Sequence, residues 1–261
     1  MLHLSFGCYI LYITNIKYIM MEGNMLSIKN LSKSYKNSGK AIDNISFEIK
    51  EGDIFGFIGH NGAGKTTTIK CIVGIHDFED GEILVNSKSI KRNPIECKKE
   101  IAYIPDNPDL YDSLTAIQYL NFIANIFNVD KKEREDLIHY YADRFEIKDS
   151  LGDMISSYSH GMKQKLAIIS ALIHSPKILI LDEPFVGLDP KAAFTLKEIM
   201  NEFCSKGGAI FFSTHVLDVA EKICNKVAII KDGKLITTGN TDDVKGNKSL
   251  ESLFMELIEN D

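Results

Sequence analysis

The stretch "DIFGFIGHNGAGKTTT", residues 53–68, constrains this chain more than any other. A continuous apolar run ends in glycine, as expected of a strand covered on both faces. It leads into G-x-x-x-x-G-K-T at Gly59, Gly64, Lys65 and Thr66, and Ile69, Ile72 and Val73 follow at helical spacing. A glycine-rich turn between such a strand and a helix lets backbone N–H groups curl around a phosphate. The helix mouth adds the positive end of its dipole. His60, Asn61, Gly62 and Ala63 complete the candidate cradle, with Thr67 on the first helical turn. Lys65 can bridge the β- and γ-phosphates, and the Thr66 hydroxyl can ligand Mg²⁺.

The flanking pattern suits that reading. "LSIKNL" and "ISFEIK" alternate as half-buried strands, and "GEILVN" and "IAYIP" add two short ones. From Leu114 to about Phe145 the apolar residues fall at helical spacing, with "DKKERED" as a solvated turn and first helical turn. "KILILDEP" and "AIFFSTH" are buried strands around a helix near Ala192 to Phe203, and "KVAIIKDGKLITTG" is a hairpin turning at Asp232-Gly233. The fold class expected is α/β: a P-loop NTPase (RecA-like) core with an antiparallel β subdomain and a helical insertion subdomain at about 107–165. Residues 1–24, "MLHLSFGCYILYITNIKYIMMEGN", lack the basic start and cleavage site of a signal peptide and read as a dispensable leader or over-called start. The working domain is then 25–261.

Two strand ends carry candidate chemistry. Asp182, closing "ILILD", puts a carboxylate at the tip of the sheet, where it can hold Mg²⁺. Glu183 points one residue on, toward where an attacking water would stand. His215, closing "FFSTH", is placed for a polar contact to a γ-phosphate. A second anion site is written into "SSYSHGMKQKLAIISALI", where Ser159 stands as the N-cap of a helix with Met162, Leu166, Ile169 and Ile173 on one face.

Phosphate loop, helical insertion, S-x-G at a helix mouth, "LDEP", "GLDP" and "STH", in that order, resemble the ATP-binding cassette (ABC) ATPases from Met25 to Asp261. The resemblance implies two cassettes stacked head to tail. Each ATP would lie between one chain's phosphate loop and the other's signature helix, so Ser159, Gly161 and Met162 would contact a γ-phosphate in trans. Asp189 would lie at the dimer seam, and Tyr35 of "LSKSYK" would stack on adenine. Two departures stand out. His160 replaces a glycine of the usual L-S-G-G-Q. Asp106 of "YIPDNP" replaces the usual glutamine, adding negative charge while keeping reach to Mg²⁺ or the lytic water.

Composition narrows the function further. With 36 acidic against 30 basic side chains the net charge is −6, so a broad basic surface for nucleic acid is not expected. Five cysteines without a C-x-x-C pair read as free thiols. No run approaches the roughly 18 apolar residues of a membrane span. The expectation is an ATP- and Mg²⁺-dependent ATPase subunit at the cytoplasmic face of the cell membrane. It would energise a permease made by a separate polytopic chain, and the wording resembles the bacitracin-resistance and drug-export type. The alternative is a soluble ABC ATPase acting on ribosomes or nucleic acid, which usually carries two fused cassettes or long basic segments. A GTPase would need N-K-x-D, and "NKVA" at Asn225 lacks the aspartate.

Overall fold

The computed structural model describes residues 23–35 and 39–259. The expected leader and Cys8 therefore lie outside the described residues, except Gly23 and Asn24. Asn24 already belongs to the first strand, paired with Lys50, so the ordered pattern begins one residue before Met25.

β1 (Asn24–Tyr35) and β2 (Gly39–Lys50) form an antiparallel hairpin, joined by β4 (Asp80–Val85) and β5 (Lys88–Ser89) in the order β2-β1-β4-β5. β2 buries Ile45, Phe47 and Ile49 and exposes Ser46 and Glu48 between them, the alternation of a sheet with one wet face. The larger sheet combines β3 (Ile54–Ile58), β6 (Ile101–Ile104), β7 (Ile178–Asp182), β8 (Ala209–Thr214), β9 (Lys226–Lys231) and β10 (Lys234–Asn240) in the order β10-β9-β3-β8-β7-β6. Its strands are parallel except the edge strand β10, which returns from β9 through the Asp232-Gly233 turn. β3, β7 and β8 are buried along their whole length.

Period-two alternation splits those apolar runs between two cores. Phe55, Phe57, Ile178, Ile180 and Phe211 face the antiparallel sheet and helix α1 (Lys65–Ile72). Ile54, Ile58, Leu179, Leu181, Ile210 and Phe212 face the helical side. Phe47 of β2 stacks on Phe55 at 5.2 Å and on Phe211 at 5.5 Å between ring centroids, and Phe57 closes the cluster 5.3 Å from Phe211. These rings join the two sheets.

The remaining helices are α2 (Pro94–Glu100), α3 (Ala116–Ile126), α4 (Lys131–Arg144), α5 (His160–Leu172), α6 (Pro190–Ser205), α7 (Leu217–Ile223), α8 (Thr241–Lys245) and α9 (Leu250–Glu259). α3 and α4 fill the segment between β6 and α5, each with a side-chain cap. Thr115 and Gln118 form a reciprocal capping box, and Asp130 accepts from the amides of Lys132 and Glu133. The run "DKKERED" is thus helical from Lys131 onward. α2 and α7, seven residues each, are too short to show a period in sequence, although Pro94 at the start of α2 is a helix-entry signal.

Phe211 is fully buried between the sheets, so Phe211→Ala should cost about 3–5 kcal/mol in urea unfolding. A loss below about 1 kcal/mol would mean that these rings do not join the sheets.

Candidate active site

The phosphate loop leaves β3 at Ile58 and enters α1 at Lys65. Its glycines are dictated by contacts beneath it. A methyl group at Gly59 would lie 2.6 Å from the Ile230 carbonyl oxygen. Gly64 sits at φ +108, and a methyl there would lie 2.6 Å from the Ala41 carbonyl oxygen. The underside is tied down by backbone: Gly233 N–H donates to Ala63 at 3.0 Å, and Asp43 N–H donates to Gly233 at 2.8 Å. The hairpin turn between β9 and β10 is therefore part of the loop's foundation.

Lys65 is the buried cation of the site. Its Nζ donates to the carbonyls of Gly59 at 2.6 Å and His60 at 3.2 Å, and lies 3.8 Å from Glu183 Oε1. Burial pulls its pKa below the ordinary lysine value, opposed by the charges of Glu183 and Asp182. A cleft of about 210 Å³ opens over the loop. It is lined by Ala41, by His60, Asn61, Gly62, Gly64, Lys65, Thr66 and Thr67 of the loop and helix start, and by Asp106, Asp182 and Glu183.

Strand register sets the carboxylates. Asp182, the last residue of β7, pairs with Ser213 of β8, and the Ser213 hydroxyl donates to its Oδ1. Glu183 follows at φ +48, its N–H donating to the Ser213 carbonyl and hydroxyl oxygens, both at 3.2 Å. Glu183 Oε1 also lies 2.8 Å from His215 Nδ1, a hydrogen bond when that nitrogen carries the proton. Ser213 thus fixes the Asp182 carboxylate and the Glu183 backbone, a role the sequence hides between a phenylalanine and the "TH" that follows. Tyr103, next to these acids, is pushed up to about 12 by burial and then by the charges of Asp182 and Asp106.

Other expected site residues stand elsewhere. Ser159 caps α5, its hydroxyl oxygen accepting from Met162 N–H at 3.3 Å, and neither it nor Gly161 nor Met162 lines the phosphate-loop cleft. Asp189 caps α6, accepting from Ala192 N–H at 2.8 Å, and its other oxygen pairs with Lys165 of α5 at 2.9 Å. Those two contacts hold its carboxyl below the usual range. Tyr35 ends β1 and is not among the residues that line the cleft. Its ring is half-exposed, edge-on to His76 at 6.0 Å, with the Lys33 ammonium 5.5 Å from the ring centre.

The comparisons agree with this architecture. The ABC transporter family model matches residues 42–186. The ABC-type transporter ATP-binding protein EcsA of Bacillus subtilis is 35% identical over 243 residues, covering 91% of this chain and 98% of EcsA. The Bacillus subtilis SkfA peptide export ATP-binding protein SkfE is 33% identical over 212 residues, covering 81% of this chain and 87% of SkfE. A solved structure described as an ATP binding subunit of an ABC transporter superposes with a TM-score of 0.86 at 35% identity. The match covers 90% of this chain and 99% of that one. The chain belongs to the ABC transporter family, as its ATP-binding, ATP-hydrolysing subunit.

Gly64→Ala tests the loop's foundation. A side chain at φ +108 pressed on the Ala41 carbonyl should cost about 1–3 kcal/mol of stability and weaken ATP binding roughly tenfold or more. Thermal melting and titration with a fluorescent ATP analogue measure both, and unchanged values would contradict the geometry.

Proposed function

We propose that this subunit drives an exporter, paired with a second cassette and docked on a polytopic permease at the cytoplasmic face of the membrane. The carrying observation is that Lys65, Thr66, Asp106, Asp182 and Glu183 line one cleft at the ends of adjacent strands. The export direction rests on the likeness to SkfE, whose name describes peptide export. Among the described residues no helix is long and apolar enough to cross a membrane, which favours a membrane path supplied by a partner chain.

ATP enters with its β- and γ-phosphates against the loop amides, and its adenine against Tyr35. Lys65 turns from the Gly59 and His60 carbonyls to the phosphates, loosening its 3.8 Å pairing with Glu183. Glu183 Oε1 then takes a proton from water as the water oxygen attacks the γ-phosphorus. The bond to the bridging oxygen breaks, leaving ADP and inorganic phosphate. His215 holds Glu183 through Nδ1 and turns its Nε2 edge to the γ-phosphate. The oxygen donors of Thr66, Asp182 and Asp106 fit Mg²⁺, which when bound there neutralises phosphate charge. The second anion site, at Ser159, Gly161 and Met162, serves the partner's γ-phosphate, and Asp189 lies at the seam.

Glu183→Gln keeps shape but removes the proton acceptor, so hydrolysis should fall by about 10²–10⁴-fold while ATP binding survives. The variant should form an ATP-dependent dimer in size-exclusion chromatography, and adding Ser159→Arg should prevent it. Normal hydrolysis by Glu183→Gln removes Glu183 as the base. Dimerisation despite Ser159→Arg removes the trans role of α5.

A further inference from the structure

We propose that His160 is a positioning residue that fastens the mouth of α5 to the turn carrying Glu183. His160 is the first residue of α5 and stands where the usual L-S-G-G-Q motif that this segment resembles has a glycine. Its ring lies on the backbone of Gly187: a methyl group there would fall 2.3 Å from His160 Cδ2 and 2.7 Å from Nε2. The next residue packs equally close, since a methyl group at Gly161 would lie 2.8 Å from the Gly187 carbonyl oxygen. Farther along α5, Lys165 pairs with Asp189 at 2.9 Å.

The gripped segment begins at Glu183. Val186 N–H donates to the Glu183 carbonyl at 3.1 Å, and Leu188 N–H to Phe185 at 3.4 Å, so residues 183–189 form one compact turn. Gly187 needs φ +80 there, which leaves its backbone bare for the imidazole to cover. With glycine at position 160 the Gly161 approach and the Lys165–Asp189 pair remain, and the ring contact is lost.

The consequence deepens the reading above and rests on it. Ser159, adjacent to His160, is assigned to the partner's nucleotide, and Glu183 to the chain's own. With the ring seated on Gly187, the α5 mouth and the Glu183 turn move as one body. Engagement of the partner's ATP therefore sets the position of the base beside this chain's ATP. The contact is made by a flat ring against backbone, so its shape carries the effect.

The test uses the full chain in Mg²⁺-ATP hydrolysis. His160→Gly should lower kcat roughly threefold to tenfold with KM unchanged, because the phosphate loop is untouched. His160→Ala removes the ring without loosening the helix start and should match it. His160→Phe, which restores a flat ring, should recover kcat to within about twofold. Gly187→Ala, which displaces the ring, should cost less in the His160→Gly background than alone. Additive effects of the two substitutions, a rise in KM in place of a fall in kcat, or failure of phenylalanine to rescue would each overturn the proposal. If Ser159→Arg leaves ATP-driven dimerisation intact, the trans reading fails first. If Ser159→Arg blocks dimerisation while the cycle is additive, only the His160 link fails.

Discussion

The site depends on three neighbouring parallel strands ending at one level. Ile58 pairs with Thr214, and Asp182 pairs with Ser213. That register delivers the phosphate loop, the Asp182-Glu183 pair and His215 to the same edge. A slip of one residue would turn every side chain to the opposite face of the sheet. It would also exchange the residues of one core, with its phenylalanine cluster, for those of the other. Packing on both faces therefore specifies the catalytic geometry, which explains why these strands carry almost no polar residues before their last positions.

Charge is the second constraint. Three carboxylates and one ammonium line the cleft, so a polyphosphate approaches an excess of negative charge. The loop's amides and the mouth of α1 offset part of this, and the requirement that remains favours a divalent cation. Asp106 sharpens that requirement relative to the glutamine usual in such sequences. Lys65 meanwhile is held by loop carbonyls and faces Glu183, so the proposed phosphate ligand and the proposed base are paired with each other.

Local chemistry made much of this readable from the amino acids. The phosphate loop declares itself because only glycine fits beneath it. Ser159 and the Asp232-Gly233 turn are legible because caps and hairpin turns use few residue types. The Asp182-Glu183 placement follows from an apolar run stopping abruptly. Long-range register hides the rest. Nothing near Ser213 announces that it bonds the Asp182 carboxylate 31 residues away and the Glu183 backbone 30 residues away. The pairing of Lys165 with Asp189, and the ring of His160 on Gly187, exist only once α5 packs beside the 183–189 turn.

The central claim is that a working site is built from two chains. Mixing Lys65→Ala chains with Ser159→Arg chains tests it directly, since each variant alone is inactive by either account. If the phosphate loop of one chain works with the α5 mouth of the other, a mixed dimer retains one intact pair. Random mixing should then restore about a quarter of the wild-type sites. If both groups acted within one chain, every chain would carry a lesion, and the mixture would stay as inactive as its parts.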